Sequence, residues 1–392
     1  MGKTSFYSDN AESFLFKYAI YRLGCLFLLL TVSMPTQTFI DEIVPTCFYG
    51  NAIVKDPVIE LNNNFPPPQN SQTRANKESS RAHQCLFNEI VTVLEQRDDC
   101  VKVMCKNAIY GFHNTTKDYL NSFWIYKKDI IALQDLDKQV LDAIPNPAYG
   151  HDPTIVLVYP WKLYSIGTRF KRAPKHDTAQ YYAIQLPNFN ENAVLIDFVP
   201  RIDALVEIKK NQRLARRLFV KIINELVDRV FQNSQDPACI KIPYVLGGSS
   251  FVMPYNDETE KNDISYGYDC SEFILRMAQI AGIDFPWKTS SAMERFTKEL
   301  TPQDTLQDGD IIWVPGHVII VSNIKNNEII ESRKSVYACV CKSTLDKRFE
   351  GISTYDDLMT HYHSHKTIKF KDVPADQGAE KIYSFKLLKL ID

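Results

Sequence analysis

The chain has 392 residues, of which 45% are hydrophobic and 23% are charged, and its formal net charge at pH 7 is −2. This length allows about two or three domains, each with its own apolar core. The near balance of charge gives no indication of nucleic acid or of an anionic membrane surface as a partner, so neither is expected.

The N-terminal segment differs from the rest of the chain. Lys17 and Arg22 precede an apolar run over residues 23–34, which is shorter than the roughly 20 residues of a comfortable membrane span. Residues 1–38 are therefore predicted to be a signal peptide with a long cationic region or, alternatively, an N-terminal membrane anchor. We expect an exported protein, periplasmic or extracellular, that contacts the membrane only through this segment if it stays uncleaved. A cytoplasmic recycling enzyme is the alternative.

Short strand patterns separated by polar turns fill residues 39–210. A stretch rich in Pro, Asn and Gln at 57–80 is predicted to be a loop. The clearest strand patterns lie at 90–94, 100–104, 123–126, 155–159, 181–185 and 194–198. Such strands favour small β-barrels over a helical bundle. One or two barrels are predicted, with boundaries at 39–150 and 151–210.

The pattern changes near residue 211. Apolar residues recur at helical spacing over 214–230, and a second apolar helical stripe follows Cys270 and ends at Gly282. Strand-like runs come after the helices, at 311–314 and 318–321. Helices first and strands afterwards predict an α+β domain over residues 211–392.

Cys270, at the start of the second helix, and His317, at the start of a strand, are the most informative pair of residues. A helix N-terminus stabilises a thiolate, and a nearby imidazole can take the proton of the thiol. Glu331 begins the next strand pattern, where it would stand beside His317 and hold its ring; an exposed strand-end glutamate is the alternative. These residues predict a cysteine hydrolase. Cys339 and Cys341 lack companion ligands at zinc spacing, so no metal site is predicted.

Four segments of the C-terminal half occur in the order seen in the NlpC/P60 cysteine peptidases, and the chain resembles that family there. The segments are PYVLGG at 243–248, YDCS at 268–271, LQDGDI at 306–311 and GHV at 316–318. The resemblance implies a papain-like α+β domain in which Cys270 is the nucleophile, His317 the base and Glu331 the third polar residue. It implies hydrolysis of the γ-D-glutamyl–diamino acid bond of bacterial cell-wall (peptidoglycan) peptides, with no metal or organic cofactor.

The β-rich half is similar to the bacterial SH3-type domains that precede this peptidase in wall-peptide recycling enzymes. In that subgroup the β-domain narrows the cleft, and acidic and tyrosine side chains bind the free amine of an N-terminal L-Ala. An ammonium that enters a closed cleft needs carboxylates to offset its desolvation. The resemblance therefore implies L-Ala-γ-D-Glu-diaminopimelate stem peptides as partner. The implied binding residues are Asp269, Ser271, Glu89 and Tyr119, with Tyr244 lining the cleft. Solvated surface positions are the alternatives for Glu89 and Tyr119.

Two departures from the family pattern keep other functions open. Glu272 replaces the usual glycine after Asp-Cys-Ser, and its carboxylate would oppose thiolate formation if it faced the sulfur. A polar insertion at 253–265 could shape or cover the cleft. The alternative functions are a catalytically degenerate protein that binds wall peptides, and a thiol amidase or acyltransferase on the same scaffold.

Overall fold

The computed structural model describes residues 50–67, 81–112, 119–145, 154–207, 211–232, 242–252, 266–334, 338–371 and 382–391. Outside these ranges lie residues 1–38, predicted to be a signal peptide or membrane anchor, and the polar insertion at 253–265. No helix in the described ranges is both long and apolar enough to cross a membrane. All of these ranges belong to one compact unit, Phe48–Asp392.

The first part of the chain folds into short strands. They are β1 (Asn51–Val54), β2 (Val58–Asn62), β3 (Arg81–Leu86), β4 (Ile90–Arg97), β5 (Cys100–Met104), β6 (Gly111–Phe112), β7 (Tyr119–Leu120), β8 (Ser122–Tyr126) and β9 (Ile130–Ala132). A seven-stranded sheet has the order β3-β2-β8-β5-β4-β1-β9, and β6 pairs with β7. The strands predicted at 90–94, 100–104 and 123–126 are confirmed. The loop prediction for 57–80 was wrong over β2, because all of its residues are buried and its backbone pairs with β3.

A second antiparallel sheet follows. Its elements are α1 (Lys138–Ala143), β10 (Thr154–Leu157), β11 (Arg169–Arg172), β12 (Tyr181–Asn188), β13 (Ala193–Pro200) and β14 (Ala204–Glu207), and short 3₁₀ helices lie at Lys127–Asp129, Leu133–Asp135 and Pro174–His176. The strand order is β13-β12-β11-β10-β14. Both sheets end at edge strands, so the described strands form open sheets and no closed barrel. The SH3-type barrels predicted over 39–150 and 151–210 are therefore not confirmed.

The C-terminal half combines helices with a third antiparallel sheet, as its pattern predicts. Its elements are α2 (Gln212–Gln232), β15 (Ser249–Ser250), β16 (Gly267–Tyr268), α3 (Cys270–Ala281), α4 (Ser290–Phe296), β17 (Ile311–Val314), β18 (His317–Asn323), β19 (Glu328–Arg333), β20 (Cys339–Thr344), α5 (Leu345–Arg348), α6 (Tyr355–His363), β21 (Ile368–Lys369), β22 (Ile382–Tyr383) and β23 (Lys386–Leu388). The five-stranded sheet has the order β20-β19-β18-β17-β23, while β15 pairs with β16 and β21 with β22. Helix α3 ends at Gly282, which adopts the left-handed conformation with φ 78°.

Two apolar layers enclose this third sheet. Alternate strand residues, including Ile320 and Ile330, pack against Phe219 of α2 and Phe273 of α3. The residues between them belong to a cluster on the other side, formed with α5 and α6. This alternation follows from the two-residue period of a strand. Burying an apolar side chain of this size contributes about 1.5–3 kcal/mol, so packing fixes α3, and with it Cys270, against the sheet.

The polar stretch around His361 and His363 is helical, because both residues lie in α6. Thr354 and Asp357 form a capping box at the start of this helix, and Tyr355 and Leu358 are buried. The helix forms because the two side chains of the capping box bond each other's backbone N–H groups in its first turn, and because its apolar residues face the sheet.

Candidate active site

Cys270 is the first residue of α3 and is 8% exposed. The residue before it, Asp269, caps the helix: its Oδ1 accepts a hydrogen bond of 2.7 Å from the Glu272 backbone N–H and one of 3.0 Å from the Ser271 hydroxyl. The sulfur therefore lies at the positive end of a helix whose start is held in place. Both the helix dipole and the unpaired N–H groups of the first turn stabilise a thiolate there.

His317 links the nucleophile to a buried acid. Its Nε2 lies 2.7 Å from Oε2 of Glu331, on the neighbouring strand β19. The Cys270 side chain is near enough to His317 to act on the charge of its ring. Burial lowers the pKa of His317, but Cys270 and Glu331 outweigh it and raise the pKa from 6.5 to about 9. An imidazolium is therefore the favoured form of His317 near neutral pH, and this cation would stabilise a thiolate on Cys270.

Glu331 is 1% exposed and meets two arginines as well as His317. Arg348 Nε lies 2.8 Å from Oε1, Arg348 Nη2 donates to Oε2 at 3.1 Å, and Arg333 Nη1 lies 3.6 Å from Oε1. Burial raises the pKa of Glu331, but the hydrogen bond to His317 and the charges of Arg348, His317 and Arg333 lower it overall. Glu331 is therefore a carboxylate that can hold the imidazolium. The sequence interpretation included neither arginine.

Glu272, the departure from the usual glycine, is fully buried and contacts an imidazole and an ammonium. Its Oε1 lies 2.8 Å from His83 Nδ1 and 3.0 Å from Lys288 Nζ. Burial raises the pKa of Glu272, but His83 and Lys288 lower it overall. Burial lowers the pKa of Lys288, but Glu272 and Asp269 raise it overall. The negative charge of Glu272 is thus balanced by an ammonium and shared with an imidazole from β3.

Asp269, Ser271 and Tyr244 lie together beside the nucleophile. Oδ2 of Asp269 accepts a hydrogen bond of 3.0 Å from the N–H of Gly247, in the PYVLGG segment. Burial raises the pKa of Tyr244, and so do the negative charges of Cys270 and Asp269. Tyr244 therefore keeps its hydroxyl proton and is available as a donor next to both groups.

The other two predicted binding residues are placed differently. Glu89 pairs with Arg276 on a later turn of α3: its Oε1 lies 2.6 Å from Arg276 Nη1, and its Oε2 accepts a 3.0 Å hydrogen bond from the Leu86 backbone. Burial raises the pKa of Glu89, but Arg276 and His83 lower it overall. Tyr119 lies in β7, and its side chain is outside the described part of the structure. The structure thus brings the other predicted residues together at the start of α3, while both Glu89 oxygens are held by intramolecular partners.

Metal ligands are not clustered in the described ranges: no group of three or more His, Cys, Asp or Glu side chains there could hold a metal ion.

A protein of known structure shares this architecture at low sequence identity. No family model and no curated protein matches the chain. A crystal structure of an NlpC/P60 family protein from Bacillus cereus matches with a TM-score of 0.51 and 16% sequence identity, over 76% of this chain and 95% of that chain. The chain has the fold of that NlpC/P60 protein. NlpC1 and NlpC2 from Trichomonas vaginalis each match with a TM-score of 0.31; their identities are 14% and 13%, over 78% and 76% of this chain and 91% and 94% of theirs.

Proposed function

We propose that the protein is a cysteine peptidase that hydrolyses the γ-D-glutamyl–diamino acid bond of bacterial cell-wall peptides. The observation that carries this proposal is the set of three side chains near the start of α3, in which Cys270 acts on the charge of His317 and His317 Nε2 lies 2.7 Å from Oε2 of the buried Glu331. The order of the four sequence segments and the shared fold also support it. Export of the protein is part of the proposal, but it depends on residues 1–38 alone.

The geometry supports a two-step reaction through a thioester. The Cys270 thiolate attacks the γ-carbonyl carbon of the D-glutamyl residue, and the backbone N–H of Cys270 at the helix start stabilises the oxyanion. The tetrahedral intermediate collapses to the thioester as His317 gives its proton to the leaving amine. Neutral His317 then takes a proton from water, which attacks the thioester and releases the acid. The proton stays on the ring, the C–S bond breaks to expel the Cys270 thiolate, and the thiolate–imidazolium pair is restored.

A free N-terminal L-Ala on the substrate is the finer part of the proposal. Asp269, Ser271 and the Tyr244 hydroxyl are the groups that we assign to its ammonium. The positions of these residues support the assignment. Asp269 and Ser271 flank the nucleophile, and the charges of Cys270 and Asp269 raise the pKa of Tyr244. Glu89 is left out of this assignment because its carboxylate is paired with the guanidinium of Arg276, whereas the hydrogen-bond donors to Asp269 are neutral groups.

The degenerate-protein alternative depends on Glu272 opposing thiolate formation. In this structure Glu272 is paired with His83 and Lys288. Its charge is therefore compensated without involving the sulfur, and this removes the observation that favoured the alternative.

Two substrates separate the remaining functions. The full chain is incubated with L-Ala-γ-D-Glu-diaminopimelate and with its N-acetylated form, and released diaminopimelate is measured by mass spectrometry, with Cys270→Ala as the control. We expect the free-amine peptide to be cleaved much faster than the acetylated one, and Cys270→Ala to be inactive. Binding without cleavage of either peptide would favour a binding protein, and no binding of either would favour an amidase or acyltransferase acting on other amides. Equal cleavage of both would reject the amine site.

A further inference from the structure

Both oxygens of the Glu331 carboxylate are occupied by cationic groups, and only one of these groups is His317. Oε2 accepts hydrogen bonds from His317 Nε2 at 2.7 Å and from Arg348 Nη2 at 3.1 Å. Oε1 lies 2.8 Å from Arg348 Nε and 3.6 Å from Arg333 Nη1. Arg348 therefore contacts both oxygens, through a hydrogen bond from Nη2 to Oε2 and an ion-pair contact of Nε with Oε1 that lacks hydrogen-bond geometry.

We propose that Arg348, assisted by Arg333, is a positioning residue that fixes the Glu331 carboxylate in one orientation and keeps it ionised, so that Glu331 can hold His317. The proposal rests on the proposed cysteine-hydrolase mechanism, which it extends from three residues to five.

Arg348 is itself held firmly. It is 4% exposed and is the last residue of α5. Its guanidinium lies 4.0 Å from the centre of the Phe370 ring, and Phe370 stacks on Phe349 with the ring centres 5.4 Å apart. A guanidinium on an aromatic face gains a cation–π contact without losing the hydrogen bonds in its plane. The orientation of Glu331 is thus set by the apolar cluster on the far side of the sheet.

The charges of the two arginines also keep the Glu331 carboxylate ionised. A carboxyl group at 1% exposure tends to take up a proton because burial disfavours its ionised form. Among the described residues, the titratable or charged groups that act on Glu331 are His317 from β18, Arg333 from β19, Cys341 from β20 and Arg348 from α5. Burial and the charge of Glu331 raise the pKa of Cys341 to about 12, so this thiol stays neutral. The two arginines and the imidazolium are therefore the cations that keep Glu331 ionised. If it became neutral, it would no longer stabilise the imidazolium, and the Cys270 thiolate would be lost with it.

The test follows the pH dependence of Cys270 alkylation by iodoacetamide, read on the Cys270 peptide by mass spectrometry. Arg348→Met removes the charge and both contacts with Glu331, while Arg348→Lys keeps the charge and loses the planar guanidinium that reaches both oxygens. Arg216→Met is the matched control, because it breaks another Arg–carboxylate pair, with Asp310 at 2.6 Å, elsewhere in the same domain. We expect the acid-side midpoint of alkylation to move up by about one pH unit or more in Arg348→Met, since a nearby opposite charge shifts a carboxyl pKa by about 1–3 units. Arg348→Lys should move it less in the same direction, and Arg216→Met should leave it unchanged.

Three outcomes would overturn the proposal. The first is an unchanged acid-side midpoint of Cys270 alkylation in folded Arg348→Met. The second, which applies if Arg348→Met does not fold, is an unchanged midpoint in Arg348→Lys. The third is a shift in Arg216→Met as large as that in Arg348→Met. Alkylation needs no peptide substrate, so the result is independent of which bond the protein cleaves. If wild-type Cys270 reacted only at the alkaline pH of an ordinary thiol, the proposed hydrolase function itself would fail instead.

Discussion

Replacing Glu331 by glutamine measures how strongly the charged form of His317 is held. The pKa of His317 is raised from 6.5 to about 9, which corresponds to roughly 3 kcal/mol in favour of the imidazolium. Because the folded pKa lies above the unfolded one, this stabilisation is fully present below about pH 6.5 and is lost as the pH rises through about 9. Burial acts against it, and Cys270 contributes more than Glu331 does.

Glu331→Gln keeps the size of the side chain and one acceptor oxygen but removes the charge. We therefore expect the pKa of His317 to fall by about one unit, or roughly 1.4 kcal/mol. Cys270→Ala should lower it further, because Cys270 is the larger contributor. Arg333 and Arg348 would also be left facing an uncharged group, so Glu331→Gln should unfold at a lower temperature than the wild type.

The assay is an NMR titration of the histidine ring protons in the full chain, with the His317 signal assigned by its loss in His317→Asn. The alkaline limb of Cys270 alkylation should move toward neutral pH in parallel. A His317 pKa that stayed near 9 in folded Glu331→Gln would refute the reasoning, since it would mean that the glutamate does not hold the ring.

Two further substitutions test features around the nucleophile. Glu272→Gly restores the residue usual in the resembled family but leaves the Lys288 ammonium buried without the Glu272 carboxylate. We therefore expect the free energy of unfolding, measured in urea, to fall by about 3–5 kcal/mol. Adding Lys288→Met should recover part of this loss, and a Glu272→Gly variant as stable as the wild type would contradict the pairing. Gly247→Ala should also destabilise the protein, because Gly247 has φ +68° and an added Cβ would lie 2.6 Å from the Arg81 backbone oxygen. Wild-type stability and full activity in this variant would show that the turn at Gly247 is not needed to hold Asp269.

Local patterns carried the sequence interpretation of the catalytic half. The helix that begins at Cys270 has an apolar stripe and is terminated by Gly282. His317 starts a strand, and the neighbouring strand contains Glu331. These features depend on residues close in sequence. Arg333 could also have been found this way, because it lies two positions after Glu331 on the same strand and so projects from the same face.

Partners from distant segments could not be read in the same way. His83 reaches Glu272 across a separation of 189 residues, and Arg348 comes to Glu331 from a helix on the other side of β20. The same limit applies to the role predicted for Glu89. The segment around it resembles the one that carries the amine-binding acid in the family, but its sequence does not reveal that Arg276 pairs with the Glu89 carboxylate. The open sheets were missed for a related reason: strand patterns predict strands, whereas closure depends on which edges pair.

Trapping the acyl-enzyme tests the central claim most directly. The full chain is mixed with L-Ala-γ-D-Glu-diaminopimelate, quenched in acid within milliseconds to seconds, and digested, and the Cys270 peptide is weighed by mass spectrometry. We expect a thioester adduct on Cys270 with the mass of the L-Ala-D-Glu acyl group, formed together with free diaminopimelate and absent in Cys270→Ala. Release of diaminopimelate by Cys270→Ala at the wild-type rate, with no adduct on the wild-type Cys270, would contradict the mechanism.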